Sequence, residues 1–289
     1  MKPQISAWLQ AGPLAAVFAL FFVVPLVLVV VVSFWQATDY ELIPAFTTQA
    51  YADVFRGCAD TSELCVTLKT YGSTLKFAVL TWALTLAIGF TIAYFLAFHV
   101  RTTLMQTVLF LVCTVPFLTS NIIRMISWIP VLGRNGLVNS TLIELGLIPQ
   151  PIEWLLYSDF AVVLAMVHLN TLFMVTPIFN TLMRIDRSLI EAARDCGASG
   201  GQILWNVILP LAKPGIAIGS IFVVTLVMAD FSTVQVMSGG QSASVALMMK
   251  NQMSLLQYPA AAANAVVLLI VVLFMVAAIL RVVDVRKEL

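Results

Sequence analysis

Charge is what this chain has least of. Only 10% of its 289 residues are Asp, Glu, Lys or Arg, against roughly a quarter in a soluble globular domain. Fifteen basic and fourteen acidic side chains leave a net charge of +1, and no basic tract is present to follow a nucleic-acid backbone, so nucleic acid is not an expected partner. Histidine occurs only twice and cysteine four times, with no metal-ligand spacing among them, so no zinc or iron site is readable. The G-x-x-x-x-G-K-[ST] loop is missing, and no polar block is large enough for a nucleotide-binding domain. ATP hydrolysis is therefore not expected of this chain.

What the chain has instead is apolar length: hydrophobic residues make up 61% of it. Six mainly apolar segments of about 20 residues or more are drawn near 13–35, 72–98, 104–127, 157–183, 214–236 and 263–283. The expected fold is an all-α integral membrane protein, one transmembrane domain over 1–289 with a polar loop at 184–213. The first segment is read as a retained helix bent at Pro25, because its apolar core is longer than that of a signal peptide and no A-x-A-like site follows. Orientation follows from Lys and Arg: Lys2, Arg101, Arg184, Arg187, Arg194, Lys213, Arg281, Arg286 and Lys287 share one side, taken as cytoplasmic. The 36–71 loop, with Asp39, Glu41, Asp53, Asp60 and Glu63, then lies outside, and both termini lie inside.

The loop from Arg184 to Lys213, RIDRSLIEAARDCGASGGQILWNVILPLAK, carries folding signals of its own. Ser188 with Glu191 has capping-box spacing, Gly197 stands where that helix should stop, and Ser199 with Gln202 repeats the spacing. Pro210 is expected to close the second short helix. Leu189, Ala193 and Cys196 fall on one side of the first helix, so the loop reads as a helix–glycine–helix elbow that displays a docking surface.

Glu191, Ala192 and Ala193, followed by Gly197 and then Val207-Ile208-Leu209-Pro210, resemble the EAA loop of ABC importer permeases. Val207 stands where that family usually has Ile. VPFLTSNIIRMISWIPVLGRNGLVN at 115–139, LLYSDFAVVLAMVH at 155–168 and ADFSTVQVMSGG further on resemble the spermidine/putrescine-type permeases, and the likeness covers nearly the whole chain. The resemblance implies a type I importer permease in the bacterial inner membrane. It implies a second, homologous permease, two copies of an ABC ATPase that bind ATP and Mg, and a periplasmic solute-binding protein. It implies no cofactor on this chain, and a polyamine or related organic amine as cargo. The coupling residues would be Ser188, Glu191, Ala192, Ala193, Gly197, Leu209 and Pro210. An ion-gradient-driven secondary transporter is the alternative, weakened by the absence of a clear inverted repeat.

Polar groups inside apolar segments are candidates for the transport path. Asp230 is the acid deepest in a segment, placed to receive an ammonium group or to pair with another helix or water. Asn121, Asn170 and Thr171, with His168, line a polar path or make interhelical hydrogen bonds. Arg124, beside Trp128, is expected to snorkel to the interface. Gly215 and Gly219 begin the fifth segment and suit close helix packing. Cys58 and Cys65 in the outer loop form either a disulfide or two free thiols. Gly197-Ala198-Ser199-Gly200-Gly201 fits a serine-nucleophile pattern, but no strand precedes it and neither His99 nor His168 is placed to act as a base; Ser199 reads as a helix cap.

Overall fold

The computed structural model describes residues 12–38, 42–56, 58, 65–100 and 102–282. Lys2, Asp39, Glu41, Asp60, Glu63, Arg101, Arg286 and Lys287, which enter the orientation argument, lie outside the described residues. The described chain is helical apart from loops and a two-residue antiparallel ladder between β1 (Gln36–Ala37) and β2 (Leu42–Ile43). Among the described residues five helices are long and apolar enough to cross a membrane: α1 (Gly12–Val32), α3 (Val66–His99), α8 (within Glu153–Leu182), α10 (Gly200–Ala229) and α13 (within Tyr258–Arg281). Between α1 and α3 lies the short α2 (Gln49–Val54).

The segment drawn as one span over 104–127 is two pieces at an angle. Helix α4 (Thr103–Thr114) runs into a 3-10 turn at Val115–Leu118, and the chain then bends by 94° into α5 (Asn121–Ile126), α6 (Ile129–Leu132) and α7 (Leu137–Glu144). Pro116 explains the break: it has no N–H for the helical ladder and its ring crowds the preceding turn. Asn121 and Arg124 therefore sit beyond the bend, on a separate short helix.

Proline is handled differently in α1 and α10. In each, a π-turn, Ala19–Val23 or Leu204–Ile208, directly precedes an α-helical stretch with proline in its first turn, Pro25 or Pro210. The wider turn closes through i→i−5 bonds, Val24 N–H to Ala19 O and Leu209 N–H to Leu204 O, and lets the helix continue past the ring. Pro210 thus does not close the second elbow helix. That helix is the first part of α10 and passes unbroken into the membrane segment. At its other end α10 stops at Ala229, ahead of α11 (Ser232–Met237), so Asp230 stands at a helix break and not inside a span over 214–236.

The chain divides into two compact units, residues 1–69 with 248–271 and residues 70–247 with 272–289. In the first, α1 exposes its apolar side chains all round, as a lipid-facing helix does. Beyond it, Ser33 is buried, its hydroxyl 2.6 Å from Val30 O and 2.8 Å from Tyr51 Oη, and Phe34 stacks on Phe46. Ala50 and Val54 of α2 pack with Ala263, and Thr67 Oγ1 donates to Val54 O at 2.5 Å. Cys58 and Cys65 are joined as a disulfide, with Cα atoms 4.8 Å apart. Helix α12 (Val245–Ser254) ends in a Schellman-type turn with Leu256 at φ 61, a conformation that a side chain adopts only at a cost.

The second unit is built around α8 (Asp159–Leu182), the most buried of the long helices. Ser158 caps it by accepting from Ala161 N–H. Helix α10 lies against it so closely that a Cβ on Gly215 would fall 2.6 Å from Pro177 O, and one on Gly219 would fall 2.7 Å from Met174 Sδ. Helix α3 approaches the same helix at Gly89, where a Cβ would meet Met174 Cγ at 2.9 Å. In a bilayer, lipid is as apolar as the helix faces, so such interfaces depend on close contact and a few polar bonds. Trp82 Nε1 donates to Ser220 Oγ at 2.8 Å across α3 and α10, and Val245 N–H donates to Thr74 Oγ1 at 2.9 Å. Lys76 pairs with Asp159 at 2.5 Å, and Ser242 donates to the same carboxylate.

Gly215→Val should open the α8–α10 contact at a cost of about 1–3 kcal/mol and lower the thermal midpoint of the detergent-solubilised protein. Gly72→Ala, whose Cβ would meet nothing within 4 Å, should leave the midpoint unchanged or raise it. Native protein treated with a maleimide should be labelled at exposed Cys196, while Cys58 and Cys65 take label only after reduction; label on both of these thiols without reductant would exclude the disulfide.

Candidate functional site

Two features of the second unit, among the described residues, concentrate polar side chains outside the helix packing: the elbow after α8 and a cavity where α8, α10 and α5 meet.

The elbow starts with α9 (Arg187–Asp195). Its cap is Asp186, whose Oδ1 accepts from Ser188 N–H at 3.0 Å. The expected Ser188–Glu191 capping box is not the one formed. The helix begins two residues early, at Arg187, so Ser188 already lies inside it, and the carboxylate of Asp186 suits the positive helix terminus. That backbone bond, with the Ser188 hydroxyl, holds the Asp186 carboxyl below its ordinary pKa. The cap is therefore present above the usual carboxylate range and lost on acidification through the lowered value.

The end of α9 is a Schellman turn. Ala198 N–H reaches Ala193 O at 3.0 Å and Gly197 N–H reaches Arg194 O at 2.8 Å, with Gly197 at φ 83. A Cβ on Gly197 would touch nothing within 4 Å, so glycine is required there by backbone conformation and not by crowding. Ser199 then starts α10 through a complete capping box with Gln202: Ser199 Oγ accepts from Gln202 N–H and Gln202 Oε1 from Ser199 N–H at 2.8 Å. The Ser199 hydroxyl is thus engaged as a cap.

Around this turn the faces of α9 separate. Ile190 is buried, whereas Leu189, Ala192 and Cys196 are exposed, as is Trp205 on the first turns of α10. Glu191, with Arg187 and Arg194, faces a cleft of about 360 Å³ closed on its far side by Tyr94, Phe98 and His99 of α3. Leu209 and Pro210 lie in the helix that leaves the elbow.

The second feature is a cavity of about 290 Å³ lined by Asn121, Ile122 and Met125 of α5, Asn170 and Phe173 of α8, and Asp230 and Thr233 at the α10–α11 break. Three of the four polar candidates for the path, Asn121, Asn170 and Asp230, thus come together from three segments well separated in the chain. Thr171 is not in its wall; its hydroxyl bonds Val167 O at 2.6 Å, one turn back. Asp230 is oriented by capping α11, accepting from Thr233 N–H at 3.0 Å and from the Thr233 hydroxyl.

Arg124 does not snorkel. It is 7% exposed, donates Nη2 to Asn121 Oδ1, and stacks 4.8 Å above the Phe117 ring. The bend at Pro116 turns α5 inward and takes Arg124 with it, a consequence that a straight helix over 104–127 does not allow. His168 accepts through Nδ1 from Trp128 Nε1 at 3.0 Å, which fixes its tautomer and ties α8 to the turn before α6. Among the described residues no group of three or more His, Cys, Asp or Glu side chains could hold a metal ion.

The same architecture recurs in solved transporters. A bacterial ABC transporter that imports the acidic polysaccharide alginate superposes with a TM-score of 0.70 at 17% identity, covering 98% of this chain and 97% of the other. The alginate transporter in complex with its pentasaccharide-bound periplasmic protein gives the same TM-score at 16% identity. By sequence, the spermidine/putrescine transport system permease protein PotB of Haemophilus influenzae is 29% identical over 234 residues, 80% of this chain and 78% of that protein. PotB of Escherichia coli is 33% identical over 178 residues, 62% and 64% of the two chains. The osmoprotective compounds uptake permease protein GgtC of Synechocystis is 26% identical over 194 residues, 64% and 69% of the two chains. The profile of binding-protein-dependent transport system inner membrane components matches residues 85–288, from the middle of α3 through the elbow and the cavity to the last helix. The chain belongs to that family: it is the multi-pass, inner-membrane permease component of an ABC importer, a transport subunit whose ATPase is a separate polypeptide.

Proposed function

We propose that this permease forms half of the path for a small organic amine, such as a polyamine, and that the elbow is the lever through which ATP hydrolysis drives it. The observation that carries the reading of the path is the convergence of Asn121, Asn170 and Asp230 on one cavity at the meeting of three helices. A carboxylate, an amide oxygen and the Phe173 ring together suit an ammonium group, through charge, hydrogen bonding and cation–π attraction. The likeness to PotB supports an amine, whereas the alginate transporters share only the fold.

In this reading a second, homologous permease supplies the other half of the path, and a periplasmic binding protein delivers the solute. Two ATPase copies carry ATP and Mg. Both termini and the elbow are cytoplasmic, in keeping with Arg184, Arg187, Arg194 and Lys213 around the elbow. The ATPase receives the exposed side of α9, with Leu189, Ala192 and Cys196, while Ala193 is only partly exposed and Glu191 lines the cleft behind the elbow. Closure of the ATPase pair pushes the elbow. Helix α10 runs from the capping box to Ala229 without interruption, and it is in close contact with α8 at Gly215 and Gly219, so both arms move together. The movement opens the cavity to the outside, and hydrolysis returns it to the inside.

Gly197 tests the lever. Gly197→Val forces a left-handed backbone on a β-branched residue at about 1–2 kcal/mol, whereas Gly197→Asn tolerates it. Uptake and solute-stimulated ATPase activity should fall in the first variant and persist in the second, with equal amounts of both in the membrane. Wild-type coupling in Gly197→Val would sink the lever.

Asp230 tests the path. Asp230→Asn keeps the cap on α11, because Asn caps as well as Asp, but removes the charge. Uptake of a labelled diamine should show a KM raised about tenfold or more with the thermal midpoint unchanged. An unchanged KM would leave Asp230 a structural cap only.

A further inference from the structure

The hydrogen-bonding sense of each polar group in the cavity is determined by the bonds it already makes. Arginine carries donors only, so Asn121 must offer Oδ1 to Arg124, and its Nδ2 remains a donor with no protein partner. Met166 O accepts only, so Asn170 must donate Nδ2 to it, at 2.8 Å, and its Oδ1 remains an acceptor. Asn170 is 6% exposed and belongs to the cavity wall, and this oxygen makes no hydrogen bond among the described residues. The wall thus presents an amide donor at Asn121, an amide acceptor at Asn170 and a carboxylate at Asp230.

The charges follow the same division. Arg124, behind Asn121, is buried against neutral partners, Asn121 and the Phe117 ring, and its Nε is buried without a partner. Asp230 is likewise held by neutral groups, the N–H and hydroxyl of Thr233. Among the described residues the ion pairs lie elsewhere, at Arg56–Asp53, Lys76–Asp159 and Arg134–Glu153. One cavity wall therefore includes a carboxylate and an amide backed by a guanidinium, and neither charge neutralises the other. Asp230 is half-buried, but the Arg124 guanidinium is buried without a counter-ion, which is costly, and a solute that brings an acceptor as well as an ammonium offsets that cost.

We propose that the cavity takes an amphoteric solute, an ammonium compound that also carries a carboxylate or comparable acceptor. The ammonium lies at Asp230 and Asn170 Oδ1. The acceptor lies at Asn121 Nδ2, with Arg124 as the positioning residue that fixes the amide and supplies the field behind it. A fully protonated polyamine has donors at both ends, so it leaves the Asn121 donor unanswered and brings like charge toward Arg124. The inference rests on the amine reading above and narrows it.

The test is equilibrium binding of three radiolabelled probes of one chain length to the assembled complex in nanodiscs, without the binding protein: 4-aminobutanoate, putrescine and butanoate. The expected result is tighter binding of 4-aminobutanoate than of either other compound by about tenfold or more, the effect of one hydrogen bond to a charged group. Asn121→Asp, which keeps a partner for Arg124 but replaces the donor with acceptors, should shift the preference toward putrescine. Putrescine bound as tightly as 4-aminobutanoate by the wild-type complex would overturn the amphoteric assignment and leave the amine reading standing. Failure of both ammonium compounds to bind would overturn the two together. The wild-type comparison needs no variant, so it decides the matter even if Asn121→Asp does not assemble.

Discussion

The backbone contact between α8 and α10 is the constraint on which the rest of this permease depends. At Gly215 there is no room for even a methyl group between the helices, since Pro177 O and Thr181 Oγ1 both stand 2.6 Å from where a Cβ would be. Helix α8 enters the elbow and α10 leaves it, so the contact closes a rigid frame around the polar turn. In lipid the hydrophobic effect contributes nothing to holding two helices together, and dispersion at short range must do so. Under the proposed push on the elbow a loosely packed pair would bend, whereas a pair in van der Waals contact at the backbone would move as one piece.

Proline shapes both ends of this frame by opposite means. Before Pro210 a π-turn absorbs the missing N–H, so the elbow and the membrane part of α10 are one continuous rod. At Pro116 no such turn forms, and the chain leaves the helix through a 3-10 turn and a 94° bend. In the proposed mechanism the first arrangement transmits movement, and the second turns a short helix inward. Without that bend Asn121 would not reach Asn170 and Asp230, and Arg124 would not be buried. The cavity is therefore a product of a broken helix, as irregular backbone at membrane depth is tolerated where it is buried in protein or lines a cavity.

Each polar group of the cavity is tied to a structural task as well. Asp230 caps α11, Asn170 returns a bond to its own helix, and Asn121 anchors a buried arginine. These ties reduce the rotational freedom that a bound solute would otherwise have to freeze, so the wall is preorganised. They also fix which atoms remain available, so a few neutral bonds set the chemistry of a cavity that has so little charge.

The amino-acid sequence by itself determined the membrane class, the number of apolar segments, the glycine at the elbow and the Ser199–Gln202 cap, because hydropathy, helix-end chemistry and a positive φ are local properties. Gly215 and Gly219 were readable as packing positions for the same reason, a small-residue spacing along one helix. What only the tertiary structure decided was how prolines were resolved and which distant side chains met. Nothing near Pro116 or Pro210 in the chain distinguishes a bend from a π-turn; neighbouring helices make that choice by what they leave room for. The same holds for Asp186 taking the cap from Ser188, for Arg124 turning inward, and for Thr171 missing the cavity that Asn170, one residue before it, lines. A residue's chemistry is written in the chain, but its partners are set by backbone direction, and that is fixed only when the helices pack.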